Sequence, residues 1–151
     1  MKTRGKILIF VGPEVTHLVT ESLNGYDLFL AHKFDDAAEL ILNSGVDLFV
    51  IDVLFDESQA MELIKLIRKD SQHRNSSIVL TQLVSSHHSE MLRTVVSSLT
   101  NSQTISCFFE GQVTDHDIGA VFRKTVERYL PSKKRMPFSW VSYADRFASE
   151  V

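Results

Sequence analysis

Five times along its length the chain passes from a short apolar, β-rich run to a segment with helical periodicity, and few architectures accept that order. The short runs lie at residues 6–11, 27–31, 47–53, 77–83 and 104–109, each rich in Ile, Val, Leu and Phe. The first, third and fourth are almost continuously apolar, as expected of strands covered by helices on both faces. Helical spacing of apolar residues fills the intervals 14–23, 34–43, 59–69, 89–99 and 115–130. Pro13 suits the start of the first helix, Asn43-Ser44-Gly45 the end of the second, Thr114 the N-cap of the fifth, and Pro131 its end.

Such alternation predicts an α/β fold with a parallel sheet, because parallel neighbours need crossover connections and the crossover helices cover both faces. The expectation is a flavodoxin-like, doubly wound five-stranded sheet of order 2-1-3-4-5 with five helices. Residues 1–131 form the domain and residues 132–151 a C-terminal extension. In such sheets ligands bind beyond the carboxyl ends of the strands, so chemistry belongs just after Val11, Val53, Leu83 and Phe109.

Composition narrows the function classes. A length of 151 residues with 44% hydrophobic residues is enough for one core without staples. The formal net charge of -3 supplies no basic footprint for nucleic acid. No apolar run approaches a membrane span, and the basic N-terminus is not followed by a cleavable leader, so a cytoplasmic protein is expected. The one cysteine, Cys107, sits in an apolar run and reads as a buried, inert thiol.

Two polar residues close strands three and four: Asp52 ends Val46-Asp47-Leu48-Phe49-Val50-Ile51-Asp52, and Thr81 ends Ile78-Val79-Leu80-Thr81. Either is an ordinary turn residue by itself; together they point at one crevice. With Lys6-Ile7-Leu8-Ile9 and Leu63-Ile64-Lys65-Leu66-Ile67-Arg68, these stretches resemble the first, third and fourth strands and the third helix of response-regulator receiver domains. The resemblance runs from about Lys6 to Leu130. It implies that Asp52 is the phosphoacceptor candidate and Thr81 the hydroxyl that senses the phosphoryl group. The family's magnesium-binding acidic pair after strand one is replaced by Val11-Gly12, followed by Pro13 and Glu14. The family's lysine-proline after strand five is replaced by Glu110-Gly111, and the signals after the aspartate by Phe55-Asp56 and Gln59-Ala60.

These replacements have physical weight. Phosphoryl transfer depends on positioning and on cations that neutralise developing charge. A site with one strong carboxylate holds magnesium weakly, and a glutamate in place of the lysine adds repulsion. Ordinary magnesium-dependent phosphorylation is therefore not expected. Asp52 reads as a relic, as a hydrogen-bonding turn residue, or as a modifiable site with altered chemistry. Glu14, Asp56 and Glu110 are its crevice neighbours; their types suit a hard cation, but each also reads as a surface residue, and no metal or other cofactor is assigned.

Histidines 17, 32, 73, 87, 88 and 116 show no metal-ligand spacing and read as solvated surface residues. Neither a Gly-rich phosphate loop nor a Gly-x-Ser-x-Gly element occurs, and an independent enzyme is not expected. Protein partners, a histidine kinase or an effector domain, follow from the resemblance, first at residues 85–130; a homodimer is a further option. In the tail, Trp140, Tyr143, Ala144 and Phe147 at helical spacing read as a helical linker or docking segment. The sequence thus reads as a receiver-like signalling module of a two-component system, acting through protein contacts. Its rivals are a working phospho-switch at Asp52 and a flavodoxin-like small-molecule-binding domain.

Overall fold

In the computed structural model the described residues are 5–52, 57–83, 94, 97, 105–130 and 138–143, with 57 and 58 described by backbone alone. The strands are β1 Lys6–Phe10, β2 Asp27–Ala31, β3 Leu48–Asp52, β4 Ser77–Gln82, β5 Cys107–Glu110 and β6 Ser139–Ser142. The helices are α1 Pro13–Ser22, α2 Phe34–Asn43, α3 Glu57–Lys69 and α4 Ile118–Tyr129. All the strands pair in parallel in one sheet of order β2-β1-β3-β4-β5-β6. The first five keep the order expected of a doubly wound flavodoxin-like fold.

Strand alternation sorts the core into two clusters. Leu8, Phe10, Phe49, Ile51, Ile78, Leu80 and Phe108 face Ala37, Ile41, Leu63 and Ile67 of α2 and α3. On the other face Ile7, Ile9, Leu48, Val50, Val79, Cys107 and Phe109 meet Val15, Val19, Phe122 and Val126 of α1 and α4. Each such side chain stabilises the fold by roughly 1.5–3 kcal/mol relative to exposure. This explains why β3 and β4 read as nearly continuous apolar runs: every residue in both is buried. Edge strand β2, by contrast, leaves Leu30 46% exposed. Gly25, at φ 101, makes the left-handed turn that returns the chain from α1 to β2.

Three expectations need correction. The tail is not helical at Trp140: residues 139–142 form β6, added in parallel to the β5 edge. Period-two alternation decides it, because Phe138 and Trp140 join one core cluster while Val141 and Tyr143 join the other. The last helix starts at Ile118, with Asp117 rather than Thr114 as its N-cap. The intervening residues are held in a turn, where Asp115 accepts from the Gln112 backbone N–H at 2.8 Å. His73 is not a surface residue but fully buried. The predicted fourth helix, 89–99, lies outside the described residues except at Thr94 and Ser97, which are helical.

His73 organises the amino ends of β3 and β4. Its Nε2 accepts from the Val46 N–H at 3.1 Å, which leaves Nδ1–H to donate to Asp70. Arg68 reaches across the same turn to the carbonyls of His73, Arg74 and Ser76. Phe49 meets the His73 ring edge-on at 5.4 Å.

Candidate functional site

Asp52 and Thr81 are direct partners in the β3–β4 register. Two residues on from Val50 and Val79, they share the face of the α1–α4 cluster. Both are enclosed, with exposures of 1% and 0%, so neither is a solvated turn residue. The Thr81 hydroxyl has no hydrogen-bond partner, an arrangement that costs about 1–3 kcal/mol and that structural threonines avoid.

The flanking strand ends differ in character. On the β1 side, Val11 is fully buried and Gly12 follows it. The exposed Glu14, in the first turn of α1, folds its carboxylate back over Gly12, so that a β-carbon there would stand 3.1 Å from both its oxygens. The α1 dipole favours that position for a negative charge. His32, just after β2, brings Nδ1 to 3.3 Å from the Val11 carbonyl.

On the β5 side, Glu110 pairs with Gln82 of β4 and with Ser142 of β6. Alternation puts it on the face of Phe108, opposite to that of Asp52 and Thr81. Its carboxylate turns toward β6 and accepts the indole N–H of Trp140. A charge-assisted bond of this kind is roughly twice as strong as a neutral one. Gly111 follows beneath Ile118 and Tyr143, where an added β-carbon would lie 2.5 Å from Ile118 Cδ1. Asp56 lies outside the described residues. Structure therefore brings Asp52 and Thr81 together and directs Glu110 elsewhere.

Sequence reasoning overlooked two neighbours. His32 had a signal in its place directly after a strand. Trp140 had one in the alternation Phe138-Ser139-Trp140-Val141-Ser142-Tyr143, which fits a strand at least as well as a helix. Burial pushes the Cys107 thiol up to about 12, in keeping with an unreactive core cysteine.

No family model and no curated protein matches the sequence. Solved structures do match, and they are similar across most of the chain. A signal receiver domain of a signal transduction histidine kinase from Syntrophus aciditrophicus is 23% identical, with a TM-score of 0.64, covering 87% of this chain and 94% of that one. A chemotaxis response regulator of Vibrio cholerae is 19% identical, with a TM-score of 0.59, covering 83% and 98%. The receiver domain of a sensor histidine kinase from Pseudomonas aeruginosa, with magnesium coordinated in its active-site cleft, is 15% identical, with a TM-score of 0.59, covering 85% and 98%. The fold of this chain is that of response-regulator receiver domains.

Among the described residues, side-chain oxygens flanking Asp52 at the ends of β1 and β5 are few. Val11 and Gly12 offer no side-chain oxygen, Glu110 is turned to Trp140, and among the described residues no three His, Cys, Asp or Glu side chains gather where they could hold a metal ion. Among the described residues no helix is long and apolar enough to cross a membrane.

Proposed function

We propose that this chain is a receiver-like signalling module of the two-component type that works through protein–protein contacts, with aspartyl phosphorylation at Asp52 absent or atypical. The observation that carries this reading is the state of the strand ends beside Asp52. One side presents Val11-Gly12, and the other a glutamate whose carboxylate is held by Trp140. Among the described residues, a phosphoryl group arriving at Asp52 would meet neither a lysine at the end of β5 nor an acidic pair directly after β1 to recruit a cation, and phosphoryl transfer relies on both. The module has no catalysis of its own in this reading. Its partner is a protein of the same pathway, a histidine kinase or an effector, engaged at residues 85–130 or at the crevice.

One observation favours the rival reading, a phospho-acceptor: Asp52 and Thr81 remain register partners, and the Thr81 hydroxyl is left without a bond. Intact-mass measurement separates the two. The full chain and its Asp52→Ala variant are incubated with acetyl phosphate and magnesium beside an ordinary receiver. We expect the added phosphoryl mass on the ordinary receiver alone. An adduct on this chain that vanishes in Asp52→Ala would replace our reading with a phospho-switch.

A further inference from the structure

At β2 the sheet ends in an apolar edge. No strand lies beyond it among the described residues, and from Leu28 to Ala31 it carries no polar side chain. Edges of this kind are normally protected by a lysine, a proline or a bulge. Leu30 is instead nearly half exposed, and Leu42, more exposed still, stands on α2, which packs on the same strand. The Asp27 N–H binds the Gly5 carbonyl, so Asp27, Phe29 and Ala31 turn their backbone groups inward to β1. Those of Leu28 and Leu30 point outward.

Leu28-Phe29-Leu30 reads the same in both directions, and this selects the partner. Two copies meeting antiparallel about a two-fold axis at Phe29 set Leu28 of each opposite Leu30 of the other. Both residues direct N–H and C=O outward, so each such pair can exchange both of its backbone bonds. The side chains agree. Leu28 packs on the α1 side of the sheet, where leucine would meet leucine, and Phe29, beside Leu8 on the α2 side, would meet its own copy.

Charge fits the same axis. Asp27 of one copy would stand diagonal to Lys33 of the other, on one face and within reach of a long side chain. Lys33 is exposed and continues the extended backbone, at φ -127 and ψ 147. Among the described residues neither Asp27 nor Lys33 has an ion-pair partner within the chain. The two Asp27 carboxylates would be separated by about four residues of strand, roughly 13 Å. Centring the axis on Leu30 keeps the charges but sets each Leu28 against His32. Centring it on Leu28 sets Leu30 against Tyr26 and parts the charges.

We propose that the β2 edge is a self-association surface, on which a second copy of this chain adds its own β2 antiparallel about Phe29 and joins two sheets into one. The contact is isologous, so each favourable pair occurs twice. It goes beyond the signalling reading and does not depend on the state of Asp52.

Sedimentation equilibrium of the full chain, over a series reaching millimolar concentration, should show a monomer–dimer equilibrium. Leu30→Lys, at a position exposed enough to leave the fold intact, should weaken the dimer by about tenfold or more, since the change enters twice. Lys33→Asp should weaken it by a smaller factor, and adding Asp27→Lys to that variant should restore it. Under oxidation Phe29→Cys should form a covalent dimer, because residues facing across a non-hydrogen-bonded antiparallel pair lie about 4.5 Å apart at Cα. Leu30→Cys should not, its nearest copy being two residues out of register. A chain that stays monomeric throughout would overturn the surface. A dimer indifferent to Leu30→Lys would place the contact on another face and overturn it equally. Cross-linking through Leu30→Cys but not Phe29→Cys would overturn the register, and a charge swap that fails to restore the dimer would overturn the Asp27–Lys33 contact.

Discussion

The two ends of the sheet handle polar groups in opposite ways. At the amino ends of β3 and β4, His73 engages both ring nitrogens, Arg68 binds three carbonyls, and Asp47 accepts the Lys6 backbone N–H at 2.8 Å. At the carboxyl ends, Thr81 keeps a buried hydroxyl without a bond, a valine and a glycine close β1, and a glutamate reaches away to a neighbouring strand. Evenly satisfied groups are what stability alone would select. The contrast is one of degree, since the buried Tyr129 hydroxyl toward the amino ends also lacks a partner, but only at the carboxyl ends does an unsatisfied hydroxyl stand in register with a buried carboxylate.

The contrast can be broken most forcibly at the satisfied end. Replacing His73 by Ala leaves the Val46 N–H and the Asp70 carboxylate without their partner and opens a cavity against Phe49. Thermal or urea unfolding should show a loss of about 3 kcal/mol. A smaller loss would mean that water replaces the ring, and that this end is less tightly built than its geometry indicates.

Alkaline unfolding sharpens the same point. Cys107 and Tyr129 both lie near the amino-end half of the sheet, and burial raises both above their ordinary values. The unfolded thiol ionises near pH 9.0 and the folded one near 12, so the thiol form is bound more tightly in the native state. Its contribution is complete below pH 9 and is lost as pH rises toward 12. Stability should therefore fall by up to about 1.4 kcal/mol per pH unit in that window from the thiol alone. Urea titrations at stepped pH should show this slope flattened, though not abolished, in Cys107→Ala, because Tyr129 titrates in the same direction. An equal slope in both proteins would remove the thiol from the account.

The smallest effect has the opposite sign. Thr81→Val keeps the shape of the side chain and deletes the unbonded hydroxyl, so the protein should gain about 1 kcal/mol in urea unfolding. A loss would show that the hydroxyl is structurally engaged and would erase the difference between the two ends.

Much of this was legible in the sequence because it depends on local pattern. The bounds of β2 and α2 follow from the apolar run at 27–31 and the periodic segment at 34–43, and the structure keeps both. Asp52 and Thr81 stand out because each interrupts an apolar run at a strand end. What could not be read depends on contacts distant in sequence. The partner of Glu110 lies 30 residues away on a strand whose aromatic residues also fit a helix. Burial of His73 requires Val46, 27 residues earlier, to come within bonding distance. The turn before α4 escaped notice because Asp115 spends its side chain on Gln112 and the helix starts from Asp117 at φ 57 without a side-chain cap.

Gly111 carries a consequence for how this crevice could change over generations. A ring or even a methyl group at that position would press on Ile118, itself a core residue, so Ile118 would have to be trimmed or turned before Gly111 could be replaced. A lysine at position 110 would meanwhile remove the Glu110 carboxylate that accepts the Trp140 indole N–H. A lysine-proline pair at 110 and 111 would thus disturb both the Trp140 contact and the packing of Ile118.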